Sequence, residues 1–230
     1  MKTAILTGAS KGIGLAMAKR LVSLGYKVYG LSRSNDISFS HTNFVPVKCD
    51  LLNTDQLLTT VAAILDQEPH INLLINNAGI GFFGPHEQIA VKDIQSMIRT
   101  NLEVPLILCR LVLRTLKKNK GMIISISSVT AKKVSTHGCA YAATKAGLSH
   151  FLTSLFEEVR KSGVKITTIH PDITKSNFYD SLDFTYADEE DAAITDEQIA
   201  DALEYVLSNS SKVVVSDITL RPQLNRINRK

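Results

Sequence analysis

Short apolar runs alternate along the chain with longer stretches whose apolar positions recur every three or four residues. TAILT (3–7), KVYGLS (27–32), FVPVK (44–48), INLLINNAG (71–79), GMIISISS (121–128), VKITTIHP (164–171) and KVVVSDITL (212–220) read as strands. Ile13, Ala16, Met17, Leu21 and Leu24 give the first helix its apolar stripe, and Gly25 ends it. TDQLLTTVAAILDQ (54–67) predicts a second helix, capped by Asn53 or Thr54. The stretch 91–118 is long for one helix and contains Pro105, which removes a backbone donor. It therefore predicts one helix before the proline and another from about Asn101 onward. A helix over 140–163 ends at Gly163, and DEQIADALEYVLSN (196–209) predicts the last. Between them, 176–194 is polar and carries Phe178, Tyr179, Phe184 and Tyr186 among several acids.

Strands alternating with helices predict a parallel sheet covered on both faces. The expected fold class is α/β: a Rossmann-like, doubly wound sheet of about seven strands. No linker or repeat interrupts the pattern, so 1–230 reads as one domain, with 176–194 as a substrate-binding loop or lid. In such sheets ligands bind beyond the carboxyl ends of the strands. The glycine-rich turn after the first run, NNAG (76–79), SISS (125–128) and HPDITKS (170–176) all fall there.

Composition narrows the partners. No apolar run approaches the roughly 20 residues of a membrane span, and MKTAILTGASKGIG lacks the long apolar segment of a signal peptide. The expectation is a cytoplasmic protein with no membrane partner. A net charge of +4 comes partly from Arg221, Arg226, Arg229 and Lys230. Without interleaved aromatics this basic tail reads as a solvated terminus and not a nucleic-acid site. Cys49, Cys109 and Cys139 show no CxxC spacing, so neither a disulfide framework nor a metal site is expected.

TGASKGIG (7–14) follows a strand and opens a helix. Gly8, Gly12 and Gly14 let the backbone turn tightly and approach a pyrophosphate, and the helix start offers free N–H groups. Lys11 precedes Gly12, so this is not a P-loop. Where an NAD-binding chain carries an acid after the second strand, this one has Ser32 and Arg33. With Lys11, Arg33 suits a 2′-phosphate, and NADP(H) is expected in preference to NAD.

TGASKGIG, Asp50, NNAG, Asn101, SISS, Tyr141 and Lys145 in YAATK, and Pro171, in this order over roughly 3–178, resemble the short-chain dehydrogenase/reductase family. The resemblance implies catalytic roles. Tyr141 would be the general acid or base at a carbonyl or alcohol. Ser128, thirteen residues earlier, would donate to the same oxygen. Lys145 would bind the nicotinamide ribose and stabilise tyrosinate, and Asn101 would hold a water leading to Lys145. It also implies cofactor contacts at Ser10, Ile13, Asp50, Leu51, Asn77, Ala78, Gly79, Pro171, Ile173, Thr174 and Ser176, in addition to Tyr141 and Lys145. These roles match what carbonyl reduction needs: a hydride donor, a proton donor and polarisation of oxygen.

Two departures stand out. Asp172 occupies the usual glycine position after Pro171, where it either tightens the loop or brings a carboxylate near the nicotinamide. The ending VVVSDITLRPQ lacks the glycine pair of ketoacyl reductase relatives and is similar to small NADP-dependent 3-hydroxy acid and carbonyl reductases.

Around this centre, His137 is weighed as a substrate contact and His170 as structural. Phe82, Phe83, Phe178 and Tyr179 are candidates for an apolar wall or for packing. Six acids in 180–191 argue against a polycarboxylate or acyl carrier protein substrate. The expected function is hydride transfer between NADP(H) and a carbonyl or alcohol of a small or medium substrate, in a homodimer or homotetramer. The alternative is a non-enzymatic dinucleotide sensor on the same scaffold, which would usually lack the tyrosine or lysine.

Overall fold

A strand that is apolar on both faces must sit in the middle layer of a fold, and the computed structural model puts the sequence's strands there. It describes residues 1–34, 37–180, 182–209 and 213–230. In chain order the main elements are β1 (Lys2–Thr7), α1 (Gly12–Ser23), β2 (Tyr26–Ser32), β3 (Phe44–Lys48), α2 (Thr54–Gln67) and β4 (Ile71–Asn76). Next come α3 (Val91–Ile98), α4 (Val104–Asn119), β5 (Met122–Ile126), α5 (Cys139–Val159), β6 (Lys165–Pro171), β7 (Thr174–Lys175), β8 (Phe184–Tyr186) and β9 (Ile194–Thr195). The last are α6 (Asp196–Ser208), β10 (Asp217–Leu220) and β11 (Ile227–Arg229).

Seven strands form one parallel sheet in the order β3-β2-β1-β4-β5-β6-β10. Successive residues point to opposite faces, so Ile5, Leu74 and Ile123 enter one core while Leu6, Ile75 and Ile124 enter the other. The first core lies beneath α2, α4 and α5, and the second beneath α1 and α6. Each fully buried Leu or Ile contributes about 1.5–3 kcal/mol relative to exposure. Packing on both faces therefore holds the strand ends in place more firmly than any single helix could. The chain reverses its direction of travel across the sheet between β1 and β4, which opens a crevice at their carboxyl ends.

The helix break falls slightly later than expected. Arg99–Glu103 forms a wide π turn, and α4 starts at Val104 instead of near Asn101. Pro105 has no N–H to donate to the Asn101 carbonyl, so the regular α ladder is interrupted at that residue.

Three further differences concern the last third of the chain. The strand expected over 212–220 covers only Asp217–Leu220, and Lys212, like Ser181 of the expected loop, lies outside the described residues. Within 176–194, β7 pairs with β9, and β8 pairs antiparallel with β11. The basic tail is therefore not simply a solvated terminus. Although its side chains are exposed, β11 lies along the aromatic segment.

Candidate active site

The three glycines of the turn answer two different requirements. Gly8 and Gly12 have φ of +68° and +53°, which side chains disfavour. Gly14 has no such φ but has no room: a Cβ there would lie 2.0 Å from the Gly8 carbonyl oxygen and 2.6 Å from Asn77 Nδ2. Asn77 closes the turn by donating to the Thr7 and Gly8 carbonyls at 2.9 and 3.2 Å. The Thr7 hydroxyl accepts from the Asn77 and Ala78 amides at 3.0 Å each. NNAG thus ties β4 to the end of β1.

The start of α1 fits an anion. Asn53 caps α2 and Thr195 caps α6 with a full capping box, but no side chain caps the first turn of α1, where Lys11 is the N-cap residue. Its N–H groups are left for a ligand, and the helix dipole favours negative charge there. Ser10 and Ile13 lie in the same turn, and Ile13 also reaches the neighbouring cavity. Ser32 closes β2 with its hydroxyl on the Ser34 carbonyl, and Arg33 stands exposed beside it. Lys11 pairs with Asp180 at 3.3 Å, with both side chains about 60% exposed. Asp50 and Leu51 follow β3, and Asp50 accepts from the Leu52 amide. These positions form a row along the carboxyl ends of β1, β2 and β3.

A second group surrounds a cavity of about 600 Å³ beside that row. Its lining includes Ser128, Tyr141 and Lys145, together with Pro171, Ile173, Thr174 and Ser176. Asn77 belongs to both regions, and Gly79 lines the cavity. Tyr141 and Lys145 lie one turn apart on α5 and are 8% and 3% exposed, so each faces inward. Lys145 Nζ donates to the Ile126 carbonyl at 2.9 Å and sits 5.8 Å from the centre of the Tyr141 ring. A Cβ on Gly79 would come within 3.2 Å of that ammonium, so glycine leaves the space for it.

The Tyr141 ring packs between Phe83 and Phe178, with centroids at 5.3 and 5.7 Å. Burial pushes its pKa up. Tyr179 adds to the rise and a hydrogen bond with Ser128 opposes it. Burial pushes Lys145 the other way, down to about 8. Ser128 follows β5 and opens a short helical turn, and its oxygen accepts from the Thr130 amide at 3.1 Å. The hydroxyl proton is thereby left to donate elsewhere. Ser127 is turned away, with its hydroxyl on the Lys145 carbonyl and Ser149.

Asn101 is fully buried in the π turn. It accepts from the Ile80 amide and donates to the Ile80 carbonyl and the Thr144 hydroxyl. It makes no direct bond to Lys145.

Other expectations sort clearly. Phe83, Phe178 and Tyr179 line the cavity, but Phe82 does not: its backbone faces Met97. His137 lines it from a left-handed backbone conformation, φ +61°. Asp172 both tightens its loop and faces the cavity, and Lys133, Arg221 and Asn225 hold its carboxylate. Cys139 is exposed, 3.4 Å from His86 Nδ1, and does not line the cavity. Asp183 and Phe184 reach the wall from the stretch expected to be the substrate loop, whereas Asn225, Ile227 and Arg229 were not expected there. The alternation in FTY and INR was the available signal, but three residues are too few to reveal a period.

The model of the short chain dehydrogenase family matches residues 2–186. An uncharacterized oxidoreductase of Staphylococcus haemolyticus is 30% identical over 96% of this chain and 97% of its own length. The serine 3-dehydrogenase of Agrobacterium fabrum is 31% identical over 96% of this chain and 93% of its own. A metagenomic short-chain oxidoreductase solved in complex with NADP superposes with a TM-score of 0.81 at 29% identity, covering 97% of this chain and 98% of that one. Among the described residues no helix is long and apolar enough to cross a membrane.

Proposed function

This chain belongs to the short chain dehydrogenase family of oxidoreductases, and on that premise we propose that it is an NADP(H)-dependent carbonyl reductase, or alcohol dehydrogenase in reverse. The observation that carries the reading is the meeting of Ser128, Tyr141 and Lys145 in one cavity beside an uncapped helix start.

The cofactor, when bound, supplies the hydride. The glycine turn with Ser10 and Ile13 would hold its pyrophosphate, Asp50 and Leu51 would edge the adenine, and Lys145 would take the nicotinamide ribose. Asn77, Ala78, Gly79, Pro171, Ile173, Thr174 and Ser176 would line the remainder. Tyr141 gives its proton to the carbonyl oxygen in reduction and takes one from the alcohol in oxidation. Ser128 donates to the same oxygen. The Lys145 charge favours the tyrosinate left behind. Asn101 Oδ1 and Lys145 Nζ both face the space a side chain on Gly79 would fill, which suits a water held by Asn101 and leading from Lys145 to solvent.

The volume lies in the usual range for small-molecule sites. Four aromatic rings, Phe83, Phe178, Tyr179 and Phe184, favour a substrate with an apolar body, and 176–194 acts as its lid. The half-buried Leu106, Leu111 and Leu113 on α4 suit pairing with a second copy, in a homodimer or homotetramer. NADPH absorbance across a panel of aldehydes, ketones and 3-oxo acids tests the function. Tight NADPH binding with no turnover anywhere on the panel would sink it.

Cofactor choice rests on Arg33 and Lys11. An exposed pair such as Lys11–Asp180 contributes little, so a 2′-phosphate can displace Asp180. NADP+ is expected to bind more tightly than NAD+, and Arg33→Ala is expected to narrow the gap. Equal dissociation constants in the wild type would defeat this assignment.

The raised pKa keeps the Tyr141 phenol protonated through neutral pH. Carbonyl reduction is therefore expected to stay level there and to decline above about pH 8, where Lys145 loses its charge. Alcohol oxidation needs Tyr141 to accept a proton and is expected to rise through neutral pH. Profiles of kcat/KM in both directions check this. Reduction that climbs above pH 8 would contradict it.

A further inference from the structure

His170 ends β6 at 1% exposure, outside the cavity, yet it touches the segment that carries Ser128. Its Nδ1 lies 3.1 Å from the Ser128 carbonyl oxygen and its Nε2 lies 2.7 Å from Asp217 Oδ2 on the edge strand β10. Lys132 holds the other oxygen of Asp217 and donates to Thr219 at 2.9 Å. Ser128 and Lys132 are the two ends of one short turn, so the contacts close a ring: Ser128 carbonyl, His170, Asp217, Lys132. Both ends of the turn are clamped to β6 and β10.

Both partners can only accept, so the neutral ring, with its one proton, bonds either the Ser128 carbonyl through Nδ1 or the Asp217 carboxylate through Nε2, and the imidazolium bonds both. Burial opposes that and pulls the His170 pKa below the ordinary histidine value, against the pull of the Ser128 carbonyl and Asp217. The bond to Ser128 is the one made whenever Nδ1 carries the proton.

We propose that His170 is a positioning residue. By holding the Ser128 carbonyl it fixes the peptide from which the Ser128 hydroxyl reaches the Tyr141 oxygen. The proposal rests on the role given to Ser128 and Tyr141 above. Misplacing a reacting group by about 1 Å can cost roughly 100-fold in rate, so a buried donor acting on the backbone alone can matter without touching substrate.

Three variants separate this from a merely structural role. Asn at this position presents a donor where Nδ1 stood, Gln presents one nearer Nε2, and Leu presents none. His170→Leu and His170→Gln are expected to lower kcat by roughly 10- to 100-fold at nearly unchanged NADPH affinity, and His170→Asn to restore most of it. In a Ser128→Ala background, His170→Leu, or His170→Gln if the Leu variant does not fold, is expected to cost nothing further, because the residue acts through Ser128. Losses that multiply in the double variant, or Asn and Gln variants that behave alike, would overturn the proposal. If Ser128→Ala and Tyr141→Phe themselves keep wild-type rates, the assigned mechanism fails and this inference falls with it. If they lose activity and the His170 variants do not, only the inference fails.

Discussion

Tyr141→Phe is expected to reduce kcat for carbonyl reduction by roughly 10²- to 10⁴-fold, the usual range for a positioned general acid. The substitution removes one oxygen and keeps the ring. The contacts with Phe83 and Phe178 at 5.3 and 5.7 Å persist, so the cavity wall keeps its shape. The Lys145 ammonium remains on the Ile126 carbonyl, so the neighbouring charge also keeps its place. What disappears is the phenol that stands beside Ser128 and Lys145. A serine hydroxyl alone can hydrogen-bond the carbonyl oxygen but is a far weaker acid. NADPH affinity and melting temperature should therefore stay near wild type while turnover collapses. Steady-state NADPH oxidation with an active substrate, paired with a binding titration, measures both. Wild-type turnover in the variant would remove Tyr141 from the mechanism.

Gly14→Ala carries the second large effect, for a steric reason. The added carbon would sit 2.0 Å from the Gly8 carbonyl oxygen. That oxygen is backbone and cannot swing away, and Asn77, 2.6 Å off, is already committed to the Thr7 and Gly8 carbonyls. The first turn of α1 must move off β1. Overpacking of this kind costs about 1–3 kcal/mol or more, and it also spreads the N–H groups that would meet a pyrophosphate. The variant is expected to melt lower and to bind NADP+ poorly. Gly25→Ala is the control: its φ of +80° is strained for alanine, but nothing lies within 4 Å. It should lose about 1–2 kcal/mol of stability with cofactor binding intact. Denaturant melts and NADP+ titrations on both variants decide the matter. Normal NADP+ affinity in Gly14→Ala would mean that the turn does not hold the cofactor.

What could be read directly from the chain was whatever local spacing encodes. Strands β1, β2, β4, β5 and β6 are buried on both faces, so their apolar runs are continuous and visible. Helix α2 matched its expected bounds because Asn53 marks its start chemically. Tyr141 and Lys145 were legible because four residues on a helix amount to one turn. The π turn was harder: Pro105 signalled a break, but its effect falls at the residue four positions earlier. The outer cavity wall was not legible. Phe184 meets Arg229, and Tyr186 meets Ile227, only through a pairing of distant segments too short to show a period. The link from His170 to Asp217 likewise depends on which strand ends up at the sheet edge.

The β8–β11 pairing separates two jobs that many sites combine. Residues that face the cavity from this ribbon, such as Phe184, Ile227 and Arg229, belong to neither α5 nor the glycine turn. Substitutions there can accumulate without disturbing the hydrogen bonds that fix Lys145, Asn101 or Asn77. The ribbon can therefore be reshaped to suit another occupant of the cavity while the contacts behind it keep their places.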